Sequence, residues 1–143
     1  MKYESGLTYD QLEIGMTASF SKTISQTDLS LYAAISGDFN PMHMNEEYAK
    51  QTRFGRRIAH GAVAQSLIAS VLGTKLPGLG TVLVEITVRF RGPTFIGDTV
   101  TASAEVVEKL EQKRRVRMKL QWTNQREETI LEGEAIVIPP ELK

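Results

Sequence analysis

The chain has 143 residues, 41% hydrophobic and 24% charged, which suits one soluble α+β-sized domain, residues 1–143, with a core of its own. Seventeen Lys and Arg balance seventeen Asp and Glu, so no global field draws in nucleic acid or an anionic membrane, and an anionic ligand has to be met by a local patch. The absence of cysteine excludes disulfides, thiolate metal sites and a Cys nucleophile.

The start, Met1-Lys2-Tyr3-Glu4, lacks the charged and then apolar run of a signal peptide, so a cytoplasmic chain is the expectation. Residues 1–16 read as an arm with a turn, and Thr17 to Ile24 as the first strand. Ser25-Gln26-Thr27-Asp28 has the form of a capping box. The helix behind it buries Leu29, Ala33 and Tyr32 and stops at Ser36, because Gly37 is suited to the left-handed residue beyond a helix end. Asp38 is thereby thrown into a loop. Pro41 biases Asn40 towards extended backbone, which places His43 beyond a turn, and Asn45 caps a short helix from Glu46 to Lys50.

Arg53, Arg56 and Arg57 form a basic cluster around Gly55. A helix from Gly61 to Leu72 follows, apolar on nearly every side and so buried, with Gly73 as its end. It is too short to span a bilayer. The rest is strand: Thr81 to Arg91, Thr99 to Glu108, Arg114 to Thr123 and Thr129 to Ile138, with Gln125 to Glu128 as the last hairpin's turn. In the first of these Val82, Val84, Ile86, Val88 and Phe90 are expected on one face. Arg115, Arg117 and Lys119 share a face that reads as solvated. Segregated helices and strands mean α+β with an antiparallel sheet of about five strands wrapped on the buried helix.

Asp38 and His43 stand five residues apart around an Asn-Pro turn. Two readings are open for them: a general acid–base pair handling a water or a substrate proton, or a loop cap and a surface imidazole. Gly61 opens a helix whose first amides lack partners, so its N–H can polarise a carbonyl; alternatively glycine there only permits close packing. His60 reads as structural, satisfying backbone groups at the helix entry, with catalysis as the other reading. Asn40 shapes the turn, with substrate contact as the other reading. The three arginines are candidates for a phosphorylated carrier or for a solvated cluster. With only two histidines and no H-E-x-x-H pattern, no metal is expected; with no P-loop and no G-x-G-x-x-G in the right context, no nucleotide cofactor is expected either.

Gly37-Asp38-Phe39-Asn40-Pro41-Met42-His43 together with His60-Gly61 resembles the hydratase motif of MaoC-like, (R)-specific enoyl-CoA hydratases. The likeness runs from Tyr9-Asp10-Gln11-Leu12-Glu13-Ile14-Gly15 to the last strand, and includes Phe90-Arg91-Gly92-Pro93 and Gly97-Asp98. The resemblance implies a hot-dog fold, a long helix wrapped by an antiparallel sheet, as a homodimer with the site at the interface. It implies that Asp38 and His43 activate the water added to a trans-2-enoyl thioester. It further implies that the Gly61 N–H binds the thioester oxygen, that Asn40 supports the pair, and that the product is an (R)-3-hydroxyacyl thioester on coenzyme A or an acyl carrier protein. Some relatives carry a site Ser further along the buried helix; the matching position is Ala69, with Ser66 and Ser70 close by, which leaves acyl-chain length open. Two other readings of such a fold are a thioesterase and a non-catalytic acyl-thioester-binding partner subunit. Thioesterases of the fold usually place an acidic residue in or beside the buried helix, and Gly61 to Leu72 holds none.

Overall fold

A computed structural model describes residues 1–141. The element order is β1 (Thr17–Thr23), α1 (Gln26–Ser36), α2 (Pro41–Met44), α3 (Glu46–Ala49), α4 (Gly61–Ser66), α5 (Ile68–Thr74), β2 (Val82–Phe90), β3 (Thr99–Leu110), a 3-10 turn (Gln112–Arg114), β4 (Arg115–Thr123) and β5 (Thr129–Ile138). All strand pairs are antiparallel, in the order β1-β3-β4-β5-β2. The α+β hot-dog arrangement expected from the sequence is therefore the one found.

Period-two patterning selects the inner face of the sheet. Val100, Ala102, Ala104 and Val106 of β3 and Val116, Met118, Leu120 and Trp122 of β4 are at most 1% exposed. They pack with Val63, Ala64, Leu67, Ile68, Val71 and Leu72 of α4 and α5. On the outer face Arg117 bridges Glu108 and Glu134, as a solvated face should.

Two expectations are corrected. The central helix is not buried all round: it carries an exposed strip at Ser66 and Ala69. It also runs past Gly73 to Thr74, with one tightened turn where Leu67 N–H bonds the Ala64 carbonyl. In β2 the alternation breaks at a bulge between Leu83 and Glu85. A bulge inserts one residue and so exchanges the two faces. Leu83 thus pairs with the inward Val137, Ile86 pairs with the inward Ala135, and Val82 and Val84 lie exposed.

The segment that carries the site is held by local chemistry. Ser25 Oγ accepts from Asp28 N–H and the Asp28 carboxylate accepts from Ser25 N–H, which closes the capping box of α1. Burial pushes the Asp28 carboxyl up, but hydrogen bonds from Lys22 and Ser25 outweigh it and hold the group below its usual range. At the other end Gly37 adopts φ 77°, where a Cβ would be strained, and its N–H closes on Ala33 O at 2.8 Å. That sharp stop turns the chain out at Asp38. The arm is tied down by Gly6 and Leu7, whose N–H groups donate to Leu79 O and Pro77 O.

Candidate active site

Asp38 and His43 are presented by a turn more ordered than the sequence suggested. Asn40 caps a four-residue helix, α2, with Pro41 as its first residue. Asn40 Oδ1 accepts from Met42 N–H, and Asn40 N–H donates to Asp38 Oδ1, both at 3.1 Å. Asn40 therefore holds the Asp38 carboxylate with its backbone N–H while its side chain faces Met42.

The two catalytic candidates come together. Asp38 Oδ2 lies 4.0 Å from His43 Nε2. His43 is 8% exposed, whereas the Asp38 side chain is about half exposed. His43 Nδ1 lies 2.8 Å from the Ile58 carbonyl oxygen. A carbonyl can only accept, so Nδ1 carries the hydrogen and Nε2 keeps its lone pair in the neutral ring. The imidazole thus presents an acceptor towards the carboxylate.

His60 completes the cluster from 22 residues away in sequence. It is 2% exposed, its Nε2 donates to the Asp38 backbone carbonyl at 2.9 Å, and its ring lies on that of His43 with centroids 4.1 Å apart. Tyr32 of α1 also packs against it, with ring centroids 4.7 Å apart. The expected structural role for His60 fits this placement, though the carbonyl it satisfies belongs to the Asp38 loop and not to the helix entry. Asp38, His43 and His60 each bring a donor atom within 4.8 Å of the others. His43 Nδ1 and His60 Nε2 each face a carbonyl oxygen and so carry a hydrogen, which leaves one lone pair per neutral ring.

Gly61 lines a cleft of about 360 Å³ with His43, Arg53, Phe54, Phe90 and Arg91. As the first residue of α4 it has no carbonyl one turn back in the helix, and no described group accepts from its N–H. A Cβ on Gly61 would stand 2.5 Å from Phe90 Cε1, so the Phe90 ring lies directly against it. The segment before Gly61 is stitched to the far wall: Ala59 N–H donates to Thr94 O at 2.7 Å, and Ile58 pairs with Phe95 in an isolated bridge.

The three arginines part company. Arg53 faces the cleft, beside the ring of Phe54. Arg56 lies over Phe95, 3.7 Å from its centroid. Arg57 is turned inward, its Nε donating to the His43 carbonyl at 2.7 Å. At the position matched to a site Ser, Ala69 is exposed, and the hydroxyls of Ser66 and Ser70 bond carbonyls of their own helix. Sequence reasoning gave no role to Phe90 or Arg91; the Phe-Arg-Gly-Pro segment was the signal, but nothing in its spacing pointed to Gly61.

Residues 10–128 match the MaoC like domain family. The chain is 43% identical over 134 residues to a 3-hydroxybutyryl-CoA dehydratase of Methylorubrum extorquens, an alignment covering 94% of this chain and 85% of that protein. It is 42% identical over 132 residues to an (R)-specific enoyl-CoA hydratase of Rhodospirillum rubrum, covering 92% and 91%. The unliganded structure of R-hydratase PhaJ1 from Pseudomonas aeruginosa superposes with a TM-score of 0.91 at 41% identity, covering 96% of this chain and 88% of that one.

Proposed function

The chain belongs to the MaoC like domain family, and from that premise we propose that it adds water to trans-2-enoyl-CoA to form (R)-3-hydroxyacyl-CoA, and runs the reverse dehydration. The observation that carries the reading is the 4.0 Å gap between Asp38 Oδ2 and His43 Nε2. Both atoms accept hydrogen bonds, and they are too far apart to bond each other. A water about 2.8 Å from each would subtend an angle of about 90°, near its own H–O–H angle, and so would donate one hydrogen to each. Its oxygen lone pair is then left free for C3.

Addition forms the C3–O and C2–H bonds and breaks the C2=C3 π bond and one O–H bond. The electron pair displaced from C3 collects on the thioester oxygen, where the Gly61 N–H and the positive end of the central helix stabilise it. The Asp38/His43 pair removes one proton from the water and supplies one to C2, so the atoms balance without a redox partner. Arg53, which lines the cleft, is the candidate contact for the carrier's phosphates, with Arg56 over Phe95 as a further one. A thioesterase reading finds no carboxylate on the helix, since no Asp or Glu occurs from Gly61 to Thr74.

The test is loss of the conjugated enoyl-thioester absorbance when purified protein meets crotonyl-CoA, with chiral analysis of the alcohol. Hydration to the (R)-alcohol is expected. Release of free thiol would instead indicate a thioesterase, and no change with short or long chains on either carrier would favour the binding-subunit reading.

The working unit is a homodimer built on β2. Among the described residues that strand pairs only with β5, which leaves its outer backbone edge open. It exposes Val82, Leu83 and Val84, where the opposite edge, β1, offers Thr17, Ser19, Ser21 and Thr23. An open apolar edge joins another strand unless charge blocks it. A second copy's β2 would continue the sheet, and the small side chains of Ser66 and Ala69 would let a second helix approach. Sedimentation is expected to give a dimer for the wild type and a monomer for a Val82→Lys/Val84→Lys variant; a monomeric wild type would refute this assembly.

A further inference from the structure

We propose that Arg57 is a positioning residue for His43, and that its guanidinium holds the catalytic imidazole in place instead of binding a ligand. The kinetic side of this inference rests on the hydratase reading above; the spectroscopic side does not.

Three bonds run from residues 57–58 to the end of α2. Arg57 Nε donates to the carbonyl of His43 itself at 2.7 Å. Ile58 N–H donates to the carbonyl of Met42 at 3.2 Å. The Ile58 carbonyl accepts from His43 Nδ1 at 2.8 Å. The first two fix the backbone that carries the ring, and the third fixes the ring's rotation and tautomer.

These bonds matter because α2 has only four residues. A helix of one turn is not stable by itself, so its C-terminal carbonyls need outside donors. Arg57 supplies the charged one, and a charge-assisted hydrogen bond is stronger than a neutral bond. A cation also suits the negative end of a helix turn.

The rest of the guanidinium points to the same role. Arg57 Nη2 is fully enclosed and has no acceptor among the described residues, so with Nε already committed only Nη1 remains to meet anything outside. A fork engaged in this way cannot grip a phosphate with two parallel bonds. Arg53, which faces the cleft, is free of this constraint.

Arg57→Met keeps the apolar stem and removes every donor; Arg57→Lys keeps the cation and removes the planar Nε–H. Each is assayed with crotonyl-CoA and with crotonyl-pantetheine, which has the same reacting end and no phosphate. A misplacement of order an ångström costs about 100-fold in rate. The expectation for Arg57→Met is a fall in kcat of about that size on both esters, with KM little changed. Arg57→Lys is expected to lose less, because it can still offer a charged donor to the His43 carbonyl. Nitrogen NMR of the His43 ring is expected to show the Nδ1–H tautomer in the wild type and a mixture in Arg57→Met.

A KM increase seen with crotonyl-CoA and absent with crotonyl-pantetheine would overturn the inference in favour of a phosphate contact. Unchanged kcat with an unchanged ring tautomer would overturn it in favour of a bystander. A lowered melting temperature with kcat per folded molecule intact would mean a purely structural arginine, and also overturns it. Should Arg57→Met fail to fold, Arg57→Lys gives the same readings. The tautomer measurement needs no turnover, so a wild type inactive on every enoyl ester would sink the hydratase reading and leave this one to be decided by NMR.

Discussion

Asp38→Asn and His43→Ala are each expected to lower hydration turnover by about 10³-fold, the first at a melting temperature close to that of the wild type and the second with a modest loss. The size follows from what each group does. Positioned acid–base groups commonly contribute between about 10² and 10⁴ in rate. Here the two share one water, so loss of either leaves that water held at a single point and its attack unaimed. Stability should change little for Asp38, whose side chain is about half exposed and forms no bond to the core. His43→Ala removes the bond to Ile58 O and leaves a gap beside the His60 ring, so a modest loss of stability is expected there. The double variant should be scarcely slower than the worse single one, because residues that act as a unit are not additive. Single-turnover rates on crotonyl-CoA, read beside thermal unfolding, check this. Retention of more than a tenth of the wild-type rate in Asp38→Asn would remove that carboxylate from the mechanism.

Gly61→Ala is expected to separate activity from stability in the opposite sense. Alanine is the better helix former by up to about 1 kcal/mol, so α4 itself gains from the change. The new methyl would stand 2.5 Å from Phe90 Cε1 and 3.0 Å from Cδ1, closer than carbon atoms tolerate. Phe90 is largely exposed, so its ring can swing aside and the fold survives. Either the displaced ring or the methyl then stands where the thioester oxygen must approach the Gly61 N–H. Loss of one oxyanion donor costs about 10² to 10³ in kcat, and a fall of about 10² is expected. Gly61→Ala/Phe90→Ala should recover part of the loss if crowding by the ring is the cause. A Gly61→Ala enzyme with wild-type kcat would show that the oxyanion is met elsewhere.

The chain's local structure was legible because its signals act over a few residues. Ser25 and Asp28 meet across one turn of helix, Gly37 accepts a left-handed φ that Ser36 would resist, and the β3 and β4 faces alternate cleanly. Even the positions of Asp38 and His43 follow from where α1 must stop and Pro41 must turn. The bulge in β2 was not legible, because Val82 to Phe90 alternates without a break in composition. The extra residue appears only when the strand is laid against β5, whose Val137 and Ile136 set the register.

What the sequence by itself determined is the list of chemical groups, the order of helices and strands, and the faces that β3 and β4 bury. Those depend on spacing along the chain. What only the tertiary structure decided is which groups meet: His60 on the Asp38 carbonyl, Arg57 on the His43 carbonyl instead of at the cleft mouth, and Phe90 against Gly61. Each of these contacts joins residues 14 to 29 positions apart, across elements whose relative placement is set by the shared core and not by either neighbourhood. A guanidinium has the same composition whether it faces solvent or a buried carbonyl, and only packing distinguishes the two.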